Sequence, residues 1–233
     1  MNTAITNVVI LGAGGDALVI AEAIRQCAAA GQPVRLAGFM DDGHAGGVVD
    51  GLQVFGRLDD WASVDATFKF LPAIQKVRDM PRRAARIEAL NIPDERWASI
   101  RHPSSVVAST ATVAPGSFIA SFVTVQPKAM IGRWASLRAG ANIGHDAQVG
   151  DFGYVGPNAT LCGCAVLGYG AHVGPNSVVL DGRTVGRFAV VGIASAVTKH
   201  VPEGWVVIGN PAERVGVVAG SAAAKKTSAI AES

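Results

Sequence analysis

The chain has 233 residues, room for one large domain or two modest ones; 49% are hydrophobic, 16% are charged and 28 are Gly. Low charge with abundant glycine suits a β-rich body whose surface is partly covered by sister subunits. A net charge of +2 argues against nucleic acid or an anionic membrane as partner. No apolar run approaches the ~18 residues that a bilayer span requires, and the first apolar stretch has no basic leader, so a cytoplasmic protein is expected.

In chain order, residues 7–11 (NVVIL) form a β-branched run that leads into Gly12-Ala13-Gly14-Gly15. A helical stretch at 16–30 closes at Gly31, and a strand at 34–40 ends in Asp41-Asp42. Strand, glycine turn, helix and strand make a βαβ unit. Further on, a strand is expected at 67–71, a helix with proline in its first turn at 81–90, and a strand at 97–100. Arg101-His102-Pro103 then bridges into a different pattern, so the expected domains are 1–102, 103–216 and a flexible tail, 217–233, with little to bury.

From 107 to 197 every sixth residue is aliphatic: Val107, Val113, Ile119, Val125, Ile131, Leu137, Ile143, Val149, Val155, Leu161, Leu167, Val173, Val179, Val185, Val191 and Val197. The residue after each is often Gly or Ala, and the fourth after it is usually Ala or Ser. A helix repeats every 3.6 residues and a strand every two, so neither gives a strict six. A solenoid with three short faces per turn does, each face sending one aliphatic side chain inward. A strand at 205–208 and the turn Gly209-Asn210-Pro211-Ala212 close the repeat.

The glycine turn offers backbone N–H groups and a helix N-terminus to a phosphate, and Asp41 and Asp42 stand where a carboxylate meets a ribose hydroxyl or a base edge. NAD, nucleotides generally and a merely tight turn are all compatible with it. His145 follows Ile143 by two and so lies at a corner, facing outward. Its neighbour Asp146 can hold the ring's tautomer, and such a pair can take a proton from an amine or hydroxyl. An ordinary corner histidine is the bland alternative. His172, before Val173, is expected to face solvent or an interface. Cys27, Cys162 and Cys164 show neither a paired nor a zinc-type spacing, so small core or corner roles are expected and no metal.

The hexad ladder, His145-Asp146, Gly209-Asn210-Pro211-Ala212 and the glycine-turn unit together resemble sugar acetyltransferases of the sialic-acid O-acetyltransferase type and the related nucleotide-amino-sugar N-acetyltransferases. The resemblance spans residues 7 to about 216. It implies an α/β Rossmann-like N-terminal domain followed by a left-handed parallel β-helix. It also implies a homotrimer with acetyl-CoA in the groove between helices, a general base at His145 and an acidic partner at Asp146. Gly12, Gly14, Gly15, Asp41, Asp42 and Arg138 would then hold the nucleotide sugar, and Gly163, Gly192, Asn210 and Pro211 the coenzyme. Tyr154, where some relatives have His, would reach the thioester carbonyl. Asp16 replaces a usual His, Ile74-Gln75-Lys76 replaces Ile-Gly followed by Asn or Asp, and Arg138 replaces an Asn near the base. N-acetyl transfer to a nucleotide-linked amino deoxysugar is the leading expectation. O-acetyl transfer to a sialic acid and a non-catalytic trimeric scaffold compete with it.

Overall fold

A computed structural model describes residues 4–77 and 79–221. The N-terminal unit is a small parallel sheet: β1 (Thr6–Leu11) lies between β2 (Val34–Met40) and β5 (Lys69–Pro72). Both flanking strands run parallel to β1. The helix α1 (Gly15–Ala29) crosses from β1 to β2, with Ala17, Ile20, Ala21, Ile24 and Cys27 buried on its inner side. A short hairpin, β3 (Val48–Val49) with β4 (Leu52–Gln53), follows β2. The helix α2 (Met80–Glu88) carries Pro81 in its first turn, where a missing N–H costs nothing.

The expected strand at 97–100 is not formed. Residues Asp94–Arg96 make one 3-10 turn, Trp97 holds a single bridge to Phe70, and its indole N–H donates to the Ile92 carbonyl at 3.2 Å. Pro93 stands at the start of that turn, and beyond it the chain touches the edge of β5 only at Trp97, with the Ala98 N–H donating to the Phe70 carbonyl at 2.9 Å. The next strand, Ile100–Arg101, already belongs to the solenoid.

That solenoid is a three-faced prism of two-residue parallel strands, paired at 18-residue intervals up to its last coil. Face 1 carries Ile100–Arg101, Phe118–Ile119, Ser136–Leu137, Tyr154–Val155, His172–Val173 and Val190–Val191. Face 2 starts at Val106–Val107 and face 3 at Thr112–Val113. Of the sixteen hexad residues, those from Ile119 onward are at most 2% exposed. Val107 is half-buried and Val113 exposed, because no coil lies beneath the first one. The small residues four positions on fill the inner corners: Ala141, Ala147, Ala159 and Ala165 are fully buried.

Face 1 ends on Trp205–Ile208, which pairs with an antiparallel strand, Glu213–Val217, not expected from the sequence. Val218 and Ser221 are buried too, so packed structure continues past 216; the remainder of the expected tail, 222–233, lies outside the described residues.

The N-terminal unit packs against face 1 and the corner between faces 3 and 1. Trp134, Phe152, Tyr169 and Phe188 stack up that corner, with Trp97 edge-on to Trp134 at 5.4 Å and the Tyr169 hydroxyl donating to Glu88 at 2.6 Å. Burial, and then the Glu88 carboxylate, push the Tyr169 phenol well above its ordinary pKa.

Candidate active site

The pair His145 and Asp146 stands on the corner between faces 2 and 3, the edge of the prism opposite face 1. Asp146 takes a left-handed backbone (φ 56°), as does the third residue after most hexad positions, which turns the chain from one face to the next. His145 Nδ1 lies 2.9 Å from Asp146 Oδ2, and the two side chains are 63% and 48% exposed. The carboxylate therefore fixes the ring's orientation through Nδ1, and Nε2 lies against Gly163.

Stacking at 18 residues places Gly163 over His145 and Asp181 over Gly163. A Cβ at 163 would come within 2.6 Å of His145 Nε2 and 3.1 Å of Asp181 Oδ1, so the ring occupies space that only glycine leaves open. The same register sets Cys164 over Asp146, and its backbone N–H donates to the His145 carbonyl at 2.9 Å. A His145 ring nitrogen, an Asp146 oxygen and the Cys164 thiol lie within 4.8 Å of one another. This convergence arises from the coil and leaves no trace in the sequence spacing, which shows no zinc-type pattern. Asp181 and Cys164, 36 and 18 residues beyond the pair, were legible only through the stacking period.

The second feature is a cavity of about 770 Å³ in the N-terminal unit. Gly12, Ala13, Gly14, Gly15 and Asp16 line one side; Asp41, Asp42 and His44 line another. Gly12 has φ 111°, and a Cβ there would meet the Ala73 carbonyl at 2.9 Å, so the turn needs glycine. No side chain caps α1 at Gly14, and space is open around Gly14 and Gly15. Asp41 accepts hydrogen bonds from the Ala13 N–H at 3.0 Å and the Gly43 N–H at 2.9 Å, and its Oδ1 lies 2.8 Å from His44 Nδ1. Partial burial raises its pKa, but those bonds outweigh it and hold the carboxyl below the ordinary range. Asp41 therefore ties the glycine turn to the loop after β2, while Asp42 accepts from the Leu58 N–H at 3.0 Å.

Lys76 and α2 residues Arg82, Arg83 and Arg86 complete the cavity wall. The sequence did not single out these arginines, although PRRAAR concentrates cations on one face of a short helix. Glycine N–H groups opposite several cations suit a phosphate or diphosphate.

Within one chain, Arg138 and Tyr154 stand apart from His145. Arg138 is buried on the corner between faces 1 and 2, where Nη2 lies 3.3 Å from Asp16 Oδ1. Tyr154 lies on face 1, across the prism from the edge that carries His145, with Arg138 5.9 Å from its ring. His172 does not face solvent; it is 9% exposed and stacks on Tyr154 with centroids 4.3 Å apart. Coil stacking puts residues 154 and 172 side by side on the face that the N-terminal unit covers. Burial pushes the His172 pKa down to about 4. Gly192 packs against Ile208, two residues before Asn210 and Pro211.

Residues 7–79 match the PglD N-terminal domain. The whole fold is similar to that of a histidine-substituted variant of perosamine N-acetyltransferase from Caulobacter crescentus, solved with CoA and GDP-perosamine. That pair shares 28% identity with a TM-score of 0.78, over 91% of this chain and 98% of the other. The acetyltransferase domain of PglB from Neisseria gonorrhoeae, solved with acetyl coenzyme A, is 25% identical with a TM-score of 0.78, over 91% of this chain and all of that one. WeeI from Acinetobacter baumannii shares the fold at 22% identity and a TM-score of 0.75, over 90% of this chain and 100% of that one. No curated protein sequence matches the chain.

Proposed function

We propose that this chain, which joins a PglD N-terminal domain to a left-handed hexapeptide β-helix, is an acetyl-CoA-dependent N-acetyltransferase acting on a nucleotide-linked amino sugar. The observation that carries the reading is the His145–Asp146 pair at 2.9 Å, exposed on a prism corner under a glycine that makes room for the ring. In this reading, residues 1–102 hold the nucleotide and residues 103–216 carry the transfer. The glycine turn and the cations of α2 bind the diphosphate. Acetyl-CoA supplies the acetyl group as a thioester along a groove lined by Gly163 and Gly192, with Asn210 and Pro211 at its far end. His145 takes the proton from the acceptor amine, and Asp146 holds the ring so that Nε2 faces it. No step calls on a metal.

The chain's own geometry favours a cyclic trimer. The sugar-nucleotide cavity is held against face 1, while His145 stands on the opposite edge, so a sugar held in one chain meets the histidine of another. Exposed Val106 and Val178 on face 2, with Phe122 and Ile193 on the corner beside it, supply apolar surface for such a contact. Among the described residues no helix is long and apolar enough to cross a membrane, and we place the enzyme in the cytoplasm with its two substrates.

Incubation with acetyl-CoA and paired panels of nucleoside-diphosphate amino sugars and hydroxyl-only sugars, read as CoA thiol release, tests the reaction. Turnover with the amino sugars alone is expected. His145→Ala should reduce kcat by about 10²-fold or more at unchanged melting temperature, and full activity in that variant sinks the assignment of the base. Sedimentation as a monomer would refute the trimer.

A further inference from the structure

Cys164 stands at the His145 corner, and acetyl transfer has no use for its thiol. Its thiol is exposed, and its place follows from the coil. Asp146 and Cys164 stack at one register with nearly identical left-handed backbones (φ 56° and 57°), so their Cβ atoms leave the prism in parallel, about one strand spacing (~4.8 Å) apart. The His145 ring leans over Gly163, next to that column, because no Cβ stands in its way. Imidazole, carboxylate and thiol thereby converge within 4.8 Å.

We infer that this corner binds a borderline-soft divalent cation, Zn²⁺ first among them, through His145, Asp146 and Cys164, and that occupancy shuts off acetyl transfer. Nitrogen, oxygen and sulfur together are the donor set zinc takes, at bond lengths of about 2.0–2.3 Å; a tetrahedron of that size separates its ligands by about 3.3–3.8 Å. All three side chains are exposed, so small changes of rotamer close the remaining gap, and the fourth position stays open to water. Calcium and magnesium are disfavoured, since they require six or more oxygen donors and the three converging side chains include one carboxylate. On binding, zinc displaces the thiol proton: the Cys164 S–H bond breaks, the S–Zn bond forms, and one proton goes to solvent. The neutral His145 ring donates a lone pair to the metal and can no longer accept a proton. The inhibition rests on His145 being the base; the metal site itself does not.

The test uses the full-length protein after treatment with chelator. Zinc titrated by calorimetry in buffers of different ionisation enthalpy should give one ion per chain and about one proton released. Cobalt(II) in zinc's place should show a thiolate-to-metal charge-transfer band in the near ultraviolet. Cys164→Ser, and Cys164→Asn as a second variant suited to the left-handed backbone, should lose the band and bind zinc at least about tenfold more weakly while still transferring acetyl groups. Zinc should suppress turnover of the unmodified protein, EDTA should restore it, and the two variants should withstand at least about tenfold more metal. Equal zinc affinity with and without Cys164 overturns the site, and full turnover by the zinc-loaded protein overturns the inhibition. Should His145→Ala keep full activity while zinc binding still depends on Cys164, the base assignment falls and the metal site stands.

Discussion

A Cβ placed on Gly163 would lie 2.6 Å from Nε2 of His145, closer than any real contact allows. The ring and the backbone one coil above it therefore share a space that fits only because the side chain is missing. Gly163→Ala should push the imidazole off its present line and loosen its bond to Asp146. Because the ring is exposed, it can swing away at little cost to folding. The expected result is a kcat lower by about 10²-fold with a nearly unchanged melting temperature, since displacement of a catalytic group by about 1 Å costs that much. Undiminished turnover in Gly163→Ala would show that the ring works from another position.

Asp146 has two duties that substitution can separate. Its φ of 56° turns the corner, and its Oδ2 meets His145 Nδ1 at 2.9 Å. Asparagine tolerates the left-handed backbone but cannot carry the negative charge that favours a protonated ring. Asp146→Asn should keep the fold and lower kcat by about 10- to 100-fold, leaving KM for acetyl-CoA nearly unchanged. Asp146→Val places a β-branched residue at positive φ and should lower the melting temperature as well. Equal kcat in Asp146→Asn and the unmodified protein would remove Asp146 from the mechanism.

The prism was legible because each coil repeats one demand: an aliphatic residue inward every sixth position, which residues from Ile119 to Val197 meet with almost no exposure. The glycine turn and β2 were legible for the same reason, since a parallel sheet buried on both sides needs apolar strands and a tight turn between them. The left-handed corner positions were not, because Trp134, Asp146, Asn158 and Cys164 share a backbone and no chemistry. The burial of His172 and Arg138 was equally hidden. It depends on the N-terminal unit lying over face 1, and nothing in the hexad pattern says which face is covered. Likewise Asp181 and Cys164 sit beside His145 through stacking across coils, a relation invisible to a search for neighbours in sequence.

Arg138 and Asp16 join the two parts of the chain. Nη2 of Arg138 lies 3.3 Å from Oδ1 of Asp16, the arginine side chain is 9% exposed, and its Nη1 has no hydrogen-bond partner. Asp16→Asn leaves a buried guanidinium without its counter-charge and should cost about 2–3 kcal/mol, below the range for fully buried pairs because Asp16 is a third exposed. Arg138→Met leaves a carboxylate that water can reach and fills the arginine's space, for a loss of about 1 kcal/mol. The double variant should resemble Arg138→Met alone. Urea unfolding of the three variants decides it, and an Asp16→Asn no worse than Arg138→Met would show that the pair does not hold the interface together.

His172 should make stability depend on pH. Its ring lies parallel to that of Tyr154, with 3° between the planes, and burial pushes its pKa down to about 4. The unfolded chain takes up this proton near pH ~6.5. Between those values the unfolded state binds more protons than the folded one, so stability is full above about pH 6.5 and falls as pH drops toward 4. The loss attributable to this ring is about 2–3 kcal/mol at about pH 4.5. Asp41, whose folded carboxyl is held below its ordinary pKa, loses its contribution mainly at lower pH than this, and comparison with a variant removes what remains. His172→Phe keeps an aromatic ring against Tyr154 and removes only the titration. The stability gap between the two proteins, measured by urea unfolding at about pH 7.5 and about pH 4.5, should shift by that amount in favour of the phenylalanine at the lower pH. A constant gap would mean that the folded chain lets the His172 ring take a proton as readily as the unfolded one does.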